Sequence, residues 1–269
     1  MTKVTLITGG SRGIGAATAR LCAAEGHAVA INYRKDAAAA EEVCLEVKSA
    51  GVEAVTVQAD TGVEADIMRM FDEVDRTLGV VTNLINNAGI HGPRGRLDAL
   101  SAADIDRVLD VNVCGYFICA REAIKRMSTK HGGSGGAIVN VSSGSARLGN
   151  PNDGVLYAAS KGAVNSLTIG LSQEVAAEGI RVNTVAPGLT ATDMPPLDKI
   201  ETQGPAIPIG RIAEAKEVAE AIVWLISDKA SYTAGANIGS VVDGFKMLCN
   251  TLLQFSGLPI LSYPSLTNS

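Results

Sequence analysis

Short apolar runs alternate with longer helical stretches along most of the chain. The apolar runs lie at residues 4–8, 28–32, 54–60, 83–89, 137–143, 181–187 and 237–242. They are almost continuously apolar, as expected of strands that are buried on both faces of a sheet. Helices are predicted between them at residues 15–26, 36–51, 64–78, 101–128, 154–178 and 217–227. This alternation predicts an α/β fold in a single domain, with a doubly wound parallel sheet as the middle of three layers.

Two regions break the alternation. Residues 190–211 are rich in proline and lack periodicity, which predicts an irregular loop. Residues 245–269 follow a V-V-D-G stretch and form an apolar tail with few charges. This tail is interpreted either as an extension packed on a neighbouring subunit or as an altered reading frame without function. The predicted domain therefore covers residues 1–244, and the tail is separate from it.

The composition is that of an ordinary soluble globular protein, with 269 residues, 46% of them hydrophobic, and a net charge of −5. The mild acidity argues against a nucleic-acid or anionic-membrane partner, and no apolar run approaches the ~18 residues that span a bilayer. Because the chain enters a strand pattern directly, we expect no signal peptide and a cytoplasmic location. The five cysteines form no C-x-x-C pair and no cluster with histidine, which predicts buried, reduced thiols and no metal site.

A glycine-rich turn follows the first predicted strand and opens the first predicted helix. It reads T-G-G-S-R-G-I-G, and Gly9, Gly13 and Gly15 give the spacing G-x-x-x-G-x-G. Glycine allows the backbone to approach a pyrophosphate closely, and the helix N-terminus supplies N–H groups and positive charge. The alternative is a tight turn with glycines for steric reasons only. The strand–turn–helix context favours dinucleotide binding.

The end of the second predicted strand indicates which dinucleotide is bound. An NAD-selecting site places an acidic residue there, but this chain has Tyr33 followed by Arg34 and Lys35. Asp36 comes too late and is interpreted as a helix N-cap. Arg12 of the glycine turn and Arg34 are predicted to bind a 2′-phosphate together, since arginine binds phosphate through paired hydrogen bonds. This favours NADP(H) over NAD(H), unless the basic residues are plain surface charges.

A tyrosine and a lysine carry the candidate acid–base chemistry. Tyr157 and Lys161 are four residues apart on a predicted helix and therefore share a face. A free tyrosine has a pKa of ~10, and a neighbouring ammonium lowers that pKa because it favours the phenolate. Ser143 ends a predicted strand, at the carboxyl edge of the sheet where such folds bind ligands. A Y-x-x-x-K pair alone is weak evidence for a catalytic site. Its position after this serine and downstream of the glycine turn strengthens that interpretation.

Four motifs now occur in one order. T-G-x-x-x-G-x-G matches residues 8–15, N-N-A-G matches 86–89, Y-x-x-x-K matches 157–161 and P-G-x-x-x-T matches 187–192. From residue 4 to about 243, the chain resembles the short-chain dehydrogenase/reductase family, whose members have a Rossmann fold. Within that family it resembles bacterial 3-oxoacyl-carrier-protein reductases and glucose 1-dehydrogenases, between which the sequence does not decide.

The resemblance implies a role for each matching position. Ser143 polarises the substrate oxygen, Tyr157 exchanges a proton with it, Lys161 lowers the tyrosine pKa and binds the nicotinamide ribose, and Asn112 holds a water in the proton relay. Asp60 holds the adenine amino group. The implied cofactor-binding residues are Gly9, Ser11, Arg12, Gly13, Ile14, Gly15, Tyr33, Arg34, Asp60, Thr61, Asn87, Ala88, Gly89, Tyr157, Lys161, Pro187, Gly188, Leu189 and Thr192.

The function implied is NADP(H)-dependent hydride transfer to or from a carbonyl or secondary alcohol, without a metal, in a homotetramer. Residues 190–211 correspond to the family's substrate lid, and the short, proline-rich lid of this chain is interpreted as leaving the site open to a bulky or carrier-attached substrate. His91 is interpreted as a bystander beside the site. The alternatives are a catalytically idle dinucleotide-binding sensor or scaffold, which the intact Ser143, Tyr157 and Lys161 disfavour, and an enzyme of epimerisation or dehalogenation.

Overall fold

Seven parallel strands form the central sheet of the computed structural model, which describes residues 2–196, 202 and 207–239. The strands are β1 (Val4–Ile7), β2 (Ala28–Tyr33), β3 (Ala54–Gln58), β4 (Asn83–Asn86), β5 (Gly136–Val141), β6 (Ile180–Ala186) and, after two short strands β7 (Thr190–Ala191) and β8 (Ala213–Glu214), β9 (Asn237–Gly239). Their order in the sheet is β3-β2-β1-β4-β5-β6-β9. The strand order reverses between β1 and β4, because β2 and β3 lie on one side of β1 and β4 lies on the other. Ligands bind at such a switch point in doubly wound sheets.

Eight α-helices are described, and the longer ones cover the sheet on both faces. They are α1 (Gly13–Ala24), α2 (Ala37–Ser49), α3 (Glu64–Thr77), α4 (Ala102–Leu109), α5 (Gly115–Met127), α6 (Ser145–Leu148), α7 (Val155–Val175) and α8 (Ala215–Ile226). Helices α1, α2 and α8 pack on one face, and α3, α5 and α7 pack on the other. Alternate residues of the strands feed the two cores, so that Ile7 belongs to the first and Leu6 to the second. The predicted three-layer fold in a single domain is confirmed.

The helix predicted over residues 101–128 is not a single α-helix. A π-helical turn, Asp110–Cys114, separates α4 from α5 and contains Asn112. The apolar periodicity continues through this turn, which is why the sequence did not indicate it. Helix α6 and the β7–β8 pair were also not predicted. Parts of the predicted lid (197–201 and 203–206) and the whole tail (245–269) lie outside the described residues.

The described thiols are not all buried, in contrast to the expectation from the sequence. Cys22, Cys44 and Cys119 are buried, and burial raises the pKa of Cys22 to about 12. Cys114 is exposed at the end of the π turn. Cys249 lies in the tail outside the described residues. Within the described residues, no helix is both long enough and apolar enough to cross a membrane.

Asp36 caps helix α2 as predicted, because its Oδ1 accepts a hydrogen bond of 3.0 Å from the Ala39 N–H. Replacing it (Asp36→Ala) is expected to lower the free energy of unfolding by about 1 kcal/mol, since a helix-end donor loses its partner. Urea unfolding followed by circular dichroism measures this loss. The Asp36→Asn variant keeps an acceptor oxygen and should retain most of the stability. Equal losses in the two variants would contradict the capping role.

Candidate active site

The glycine-rich turn runs from the end of β1 into α1. Gly9 has a φ of +63°, a conformation that side chains disfavour. A Cβ added at Gly15 would lie 2.3 Å from the Gly9 carbonyl oxygen, so this position admits only glycine without a backbone shift. The backbone at Gly15 therefore packs closely against the backbone at Gly9. The turn leads directly into the N-terminus of α1 at the edge of the sheet. Such a bare, amide-lined turn fits the pyrophosphate of a dinucleotide.

Two asparagines hold this turn in place. The Asn32 side chain, at the end of β2, accepts a hydrogen bond of 3.1 Å from the Gly9 N–H. The Asn87 side chain, after β4, donates to the carbonyls of Thr8 at 2.9 Å and Gly9 at 3.0 Å. The Thr8 hydroxyl in turn accepts from the N–H groups of Asn87 and Ala88. These bonds join the glycine turn to the N-N-A-G segment, and the bracing role of Asn32 was missed in the sequence analysis.

The arginines predicted to select NADP(H) lie on the surface near this turn. Arg12 Nη1 lies 3.7 Å from Asp193 Oδ2, and both side chains are largely exposed, 70% and 75%. An exposed pair of this kind contributes little to stability, so a competing anion displaces it at low cost. Arg34 is also exposed and follows β2. Tyr33, at the end of β2, packs partly against the core.

The remaining predicted residues of the adenine side occupy the end of β3. Asp60 accepts two hydrogen bonds from Arg107 Nη2, at 3.0 and 2.8 Å, and one from the Gly62 N–H at 2.9 Å. The carboxylate is thus held in one orientation by an α4 residue that the sequence analysis did not single out. Thr61 beside it is buried.

Tyr157 and Lys161 lie on consecutive turns of α7, and both are buried, with 8% and 2% of their surfaces exposed. Ser143 comes just after β5, and its hydroxyl accepts a hydrogen bond of 3.1 Å from the Ser145 N–H. Burial raises the pKa of Tyr157 above its usual value, and the Ser143 side chain and the charge of Arg94 oppose that rise. The phenol is therefore protonated at neutral pH and suited to donate a proton.

Lys161 reaches the sheet edge beneath Tyr157. Its Nζ donates hydrogen bonds to the Val141 carbonyl at 2.8 Å and the Tyr116 hydroxyl at 3.1 Å. Nζ lies 5.9 Å from the centroid of the Tyr157 ring. A Cβ added at Gly89 would lie 3.4 Å from Nζ, so the N-N-A-G segment and the lysine meet here. Burial lowers the pKa of Lys161 to about 7.

Asn112 connects three segments of the site from within the π turn. Its Oδ1 accepts from the Ile90 N–H at 2.9 Å, and its Nδ2 donates to the Ile90 carbonyl at 2.8 Å and the Ser160 hydroxyl at 3.0 Å. The side chain thereby fastens the loop after N-N-A-G to helix α7. π turns of this kind often occur at functional sites, because they displace the backbone from the regular helical register.

His91 lies beside the site and contacts Tyr157 directly, and its interpretation as a bystander in the chemistry stays a prediction. Its ring stacks on that of Tyr157 with centroids 4.9 Å apart and an angle of 19° between the planes. Its Nε2 lies 3.7 Å from Asp153 Oδ2, and Arg94 donates two hydrogen bonds to the same carboxylate at 2.8 and 2.9 Å. A Cβ at Gly154 would lie 2.8 Å from the imidazole, so a glycine leaves room for the stacking. The position of His91 two residues after N-N-A-G was the available signal.

The P-G-x-x-x-T segment leads from β6 towards the lid. The Pro187 carbonyl accepts a hydrogen bond of 2.8 Å from the Gly144 N–H, which joins this segment to the loop that carries Ser143. The Leu189 carbonyl accepts from the Ala213 N–H at 3.0 Å. A Cβ at Gly13 would lie 3.1 Å from Thr192 Cγ2, so the segment also reaches the glycine turn.

The predicted residues therefore meet at the carboxyl edge of β1, β4, β5 and β6. The described contacts join the glycine turn, Asn87–Gly89, Asn112, Ser143, Tyr157 and Lys161. No described contact joins Arg12 to Arg34. Ser11 is half-buried, and Ile14 packs against the core while its N–H belongs to the opening turn of α1. A parallel doubly wound sheet with a glycine turn, a tyrosine and a buried lysine at its switch point defines a class, the dinucleotide-dependent oxidoreductases.

Comparisons with known proteins identify the family. Residues 3–200 match the family model described as short chain dehydrogenase. An uncharacterized oxidoreductase, YgfF of Escherichia coli, is 51% identical over 87% of this chain and 97% of its own length. A 3-oxoacyl-[acyl-carrier-protein] reductase, FabG of Staphylococcus aureus, is 37% identical over 88% and 96%. Glucose 1-dehydrogenase 2 of Bacillus subtilis is 35% identical over 94% and 97%.

A solved structure agrees with this family. A short chain dehydrogenase from Burkholderia cenocepacia in complex with NADP superimposes with a TM-score of 0.82 and 36% identity, and the match covers 88% of this chain and 95% of that one. The chain belongs to the short-chain dehydrogenase family and is an oxidoreductase. The resemblance inferred from the four sequence motifs is confirmed.

Proposed function

We propose that this protein is an NADP(H)-dependent oxidoreductase that transfers hydride between nicotinamide and a carbonyl or secondary alcohol, with Tyr157 as the acid or base. The observation that carries the proposal is the burial of Tyr157 and Lys161 on consecutive turns of α7, with the lysine Nζ 5.9 Å from the centroid of the tyrosine ring. A structural role alone does not require a buried lysine beside a buried phenol. The chain's membership of an oxidoreductase family supports the same function.

The protein's own residues supply proton transfer and orientation in this mechanism. The bound cofactor supplies or accepts the hydride. The Ser143 hydroxyl donates a hydrogen bond to the substrate oxygen, and Tyr157 donates a proton to that oxygen during reduction. This donation leaves a Tyr157 phenolate, which the Lys161 ammonium stabilises. In oxidation that phenolate accepts the proton from the alcohol and returns to the neutral phenol. Lys161 is also proposed to bind the nicotinamide ribose, and its approach to Gly89 at the sheet edge supports this role.

The glycine turn and the residues after β2 are proposed to bind the adenine half of the cofactor. Main-chain amides at the start of α1 bind the pyrophosphate, and Asp60 binds the adenine amino group while Arg107 orients it. Arg12 and Arg34 are proposed to bind a 2′-phosphate, since both are exposed on this side and no acidic residue ends β2. The complex of the Burkholderia relative with NADP supports this choice.

Removing either arginine (Arg12→Ala or Arg34→Ala) is expected to raise the KM for NADPH about tenfold, because each loses a charge-assisted hydrogen bond to phosphate. The kcat/KM with NADH should change little. Steady-state kinetics with both cofactors measure the effect, and Arg69→Ala on the surface of α3 is the matched control. Equal losses with NADPH and NADH would contradict the assignment of the 2′-phosphate to these arginines.

The substrate is proposed to enter beside His91 and Ser143. Both carrier-attached and small polar substrates remain candidates, as the reductase and glucose dehydrogenase relatives illustrate. A panel of acyl thioesters, free ketones and sugars, monitored by nicotinamide absorbance with NADPH and NADH, separates these classes. A preference for small free ketones over acyl thioesters would count against a lid that admits carrier-attached substrates.

The cytoplasmic location and the homotetramer remain predictions. The tail at residues 245–269 lies outside the described residues, and its interface role also remains a prediction. Light scattering measures the mass of the oligomer for the full chain and for a chain ending at Gly244. The first value tests the homotetramer, and the difference between the two tests the interface role of the tail. An unchanged tetramer after deletion would reject the interface role.

A further inference from the structure

The hydroxyl of Tyr116 lies between Lys161 and the end of β5. Tyr116 comes from α5 and is fully buried. Its oxygen accepts a hydrogen bond of 3.1 Å from Lys161 Nζ, and its O–H donates one of 3.0 Å to the Val141 carbonyl. The same carbonyl accepts directly from Lys161 Nζ at 2.8 Å. The lysine Nζ, the tyrosine hydroxyl and the Val141 carbonyl thus form a closed triangle of three hydrogen bonds.

This triangle determines what the hydroxyl can do. Burial raises the pKa of Tyr116 well above its usual value, so the residue stays a neutral phenol and takes no proton from substrate. Because its hydrogen is committed to Val141, its oxygen presents a lone pair to Lys161. A lone pair directed at nitrogen favours the ammonium over the amine, and hydrogen bonds to a charged donor are the stronger kind.

We propose that Tyr116 is a positioning residue whose hydroxyl holds Lys161 at the sheet edge and favours its ammonium form over the amine before the cofactor binds. This inference rests on the proposed function for its catalytic meaning. An ammonium has three N–H donors, and Tyr116 and Val141 take two of them among the described contacts. These two hydrogen bonds fix the direction of the third N–H, which is then available to donate to the nicotinamide ribose or towards Tyr157.

The titration of Lys161 in the cofactor-free protein tests this inference without any substrate. Within the described residues, the titratable side chains that contact Lys161 are Tyr116 from α5 and Tyr157 from α7. Lysine labelled with ¹³C at Cε reports protonation through its chemical shift in NMR spectra, and the signal lost in Lys161→Met assigns the resonance. Tyr116→Phe keeps the buried ring and removes only the hydroxyl. Its Lys161 midpoint is expected to fall by about one pH unit, because the charged form loses an acceptor.

Thr168→Val is the matched control for the loss of a buried hydroxyl. Thr168 lies on α7, and its hydroxyl accepts hydrogen bonds from the Asn140 and Thr184 side chains and donates one to the Val164 carbonyl. No described hydrogen bond joins it to Lys161. This variant should lose thermal stability comparably and keep the wild-type Lys161 midpoint. A Tyr116→Phe midpoint equal to or above that of the wild type would overturn the inference, as would an equal shift in Thr168→Val.

The oxidation reaction gives a second readout. With less positive charge on Lys161 at a given pH, the pKa of Tyr157 rises, so the acidic limb of the alcohol-oxidation profile should move to higher pH in Tyr116→Phe. If Tyr116→Phe shifts the Lys161 titration but leaves the acidic limb of the pH profile unchanged, Tyr116 biases the lysine through its hydrogen bond but has no effect on catalysis, and the catalytic part of the proposal is rejected. A shifted titration in a protein that turns over no carbonyl or alcohol would reject the proposed function alone.

Discussion

Replacing Tyr157 with phenylalanine is expected to lower turnover about 10³-fold and to leave NADPH binding within about twofold of the wild type. The substitution removes one oxygen, which carries the proton to and from the substrate in the proposed mechanism. Because the ring is buried and stacked on His91, the phenylalanine retains the packing. Steady-state kinetics on a good substrate and a fluorescence titration with NADPH measure the two quantities separately.

The matched control is Tyr232→Phe, since Tyr232 is fully exposed far along the chain, after α8. It should keep wild-type kinetics. Turnover that survives in Tyr157→Phe would contradict the assignment of the acid and base. A wild type that binds NADPH but turns over no substrate in a broad panel would favour the idle binding protein instead. This pair of measurements therefore separates the enzyme from the sensor or scaffold.

The parts of the site that could be predicted from sequence are those encoded in short, local spacing. The glycine turn needs three glycines within a few residues of a strand end, and Tyr157 and Lys161 need only a separation of one helical turn. The parallel sheet follows from alternation because crossovers have one hand. Because the motifs follow the carboxyl ends of parallel strands, they lie at one edge of the sheet, and the location of the site could be predicted from the fold.

Residues that support the motifs could not be predicted in the same way. Asn32 and Tyr116 contact the motifs from other segments, and Tyr116 is 45 residues from its partner Lys161. Nothing in the local pattern distinguishes a buried tyrosine that packs from one whose hydroxyl meets a lysine. The π turn is invisible for a related reason, since one extra residue hardly changes the apolar pattern around Asn112.

Replacing Gly15 with alanine is expected to weaken NADPH binding at least about 100-fold and to lower the free energy of unfolding by about 1–3 kcal/mol. The added Cβ would lie 2.3 Å from the Gly9 carbonyl oxygen and 2.7 Å from Asn87 Nδ2, so the backbone of the turn has to move. Moving Gly9 and Asn87 breaks the hydrogen bond that joins the turn to the N-N-A-G segment. Equilibrium binding of NADPH and urea unfolding measure the two losses.

Gly170→Ala is the control that separates this close approach from glycine replacement in general. Gly170 lies within α7, and a Cβ there meets nothing within 4 Å. Alanine in a helix interior is favoured over glycine by about 0.5–1 kcal/mol, so this variant should unfold at higher urea and bind NADPH normally. If Gly15→Ala bound NADPH as tightly as Gly170→Ala, the pyrophosphate would not lie against this turn, and the cofactor assignment would fail at its first residue.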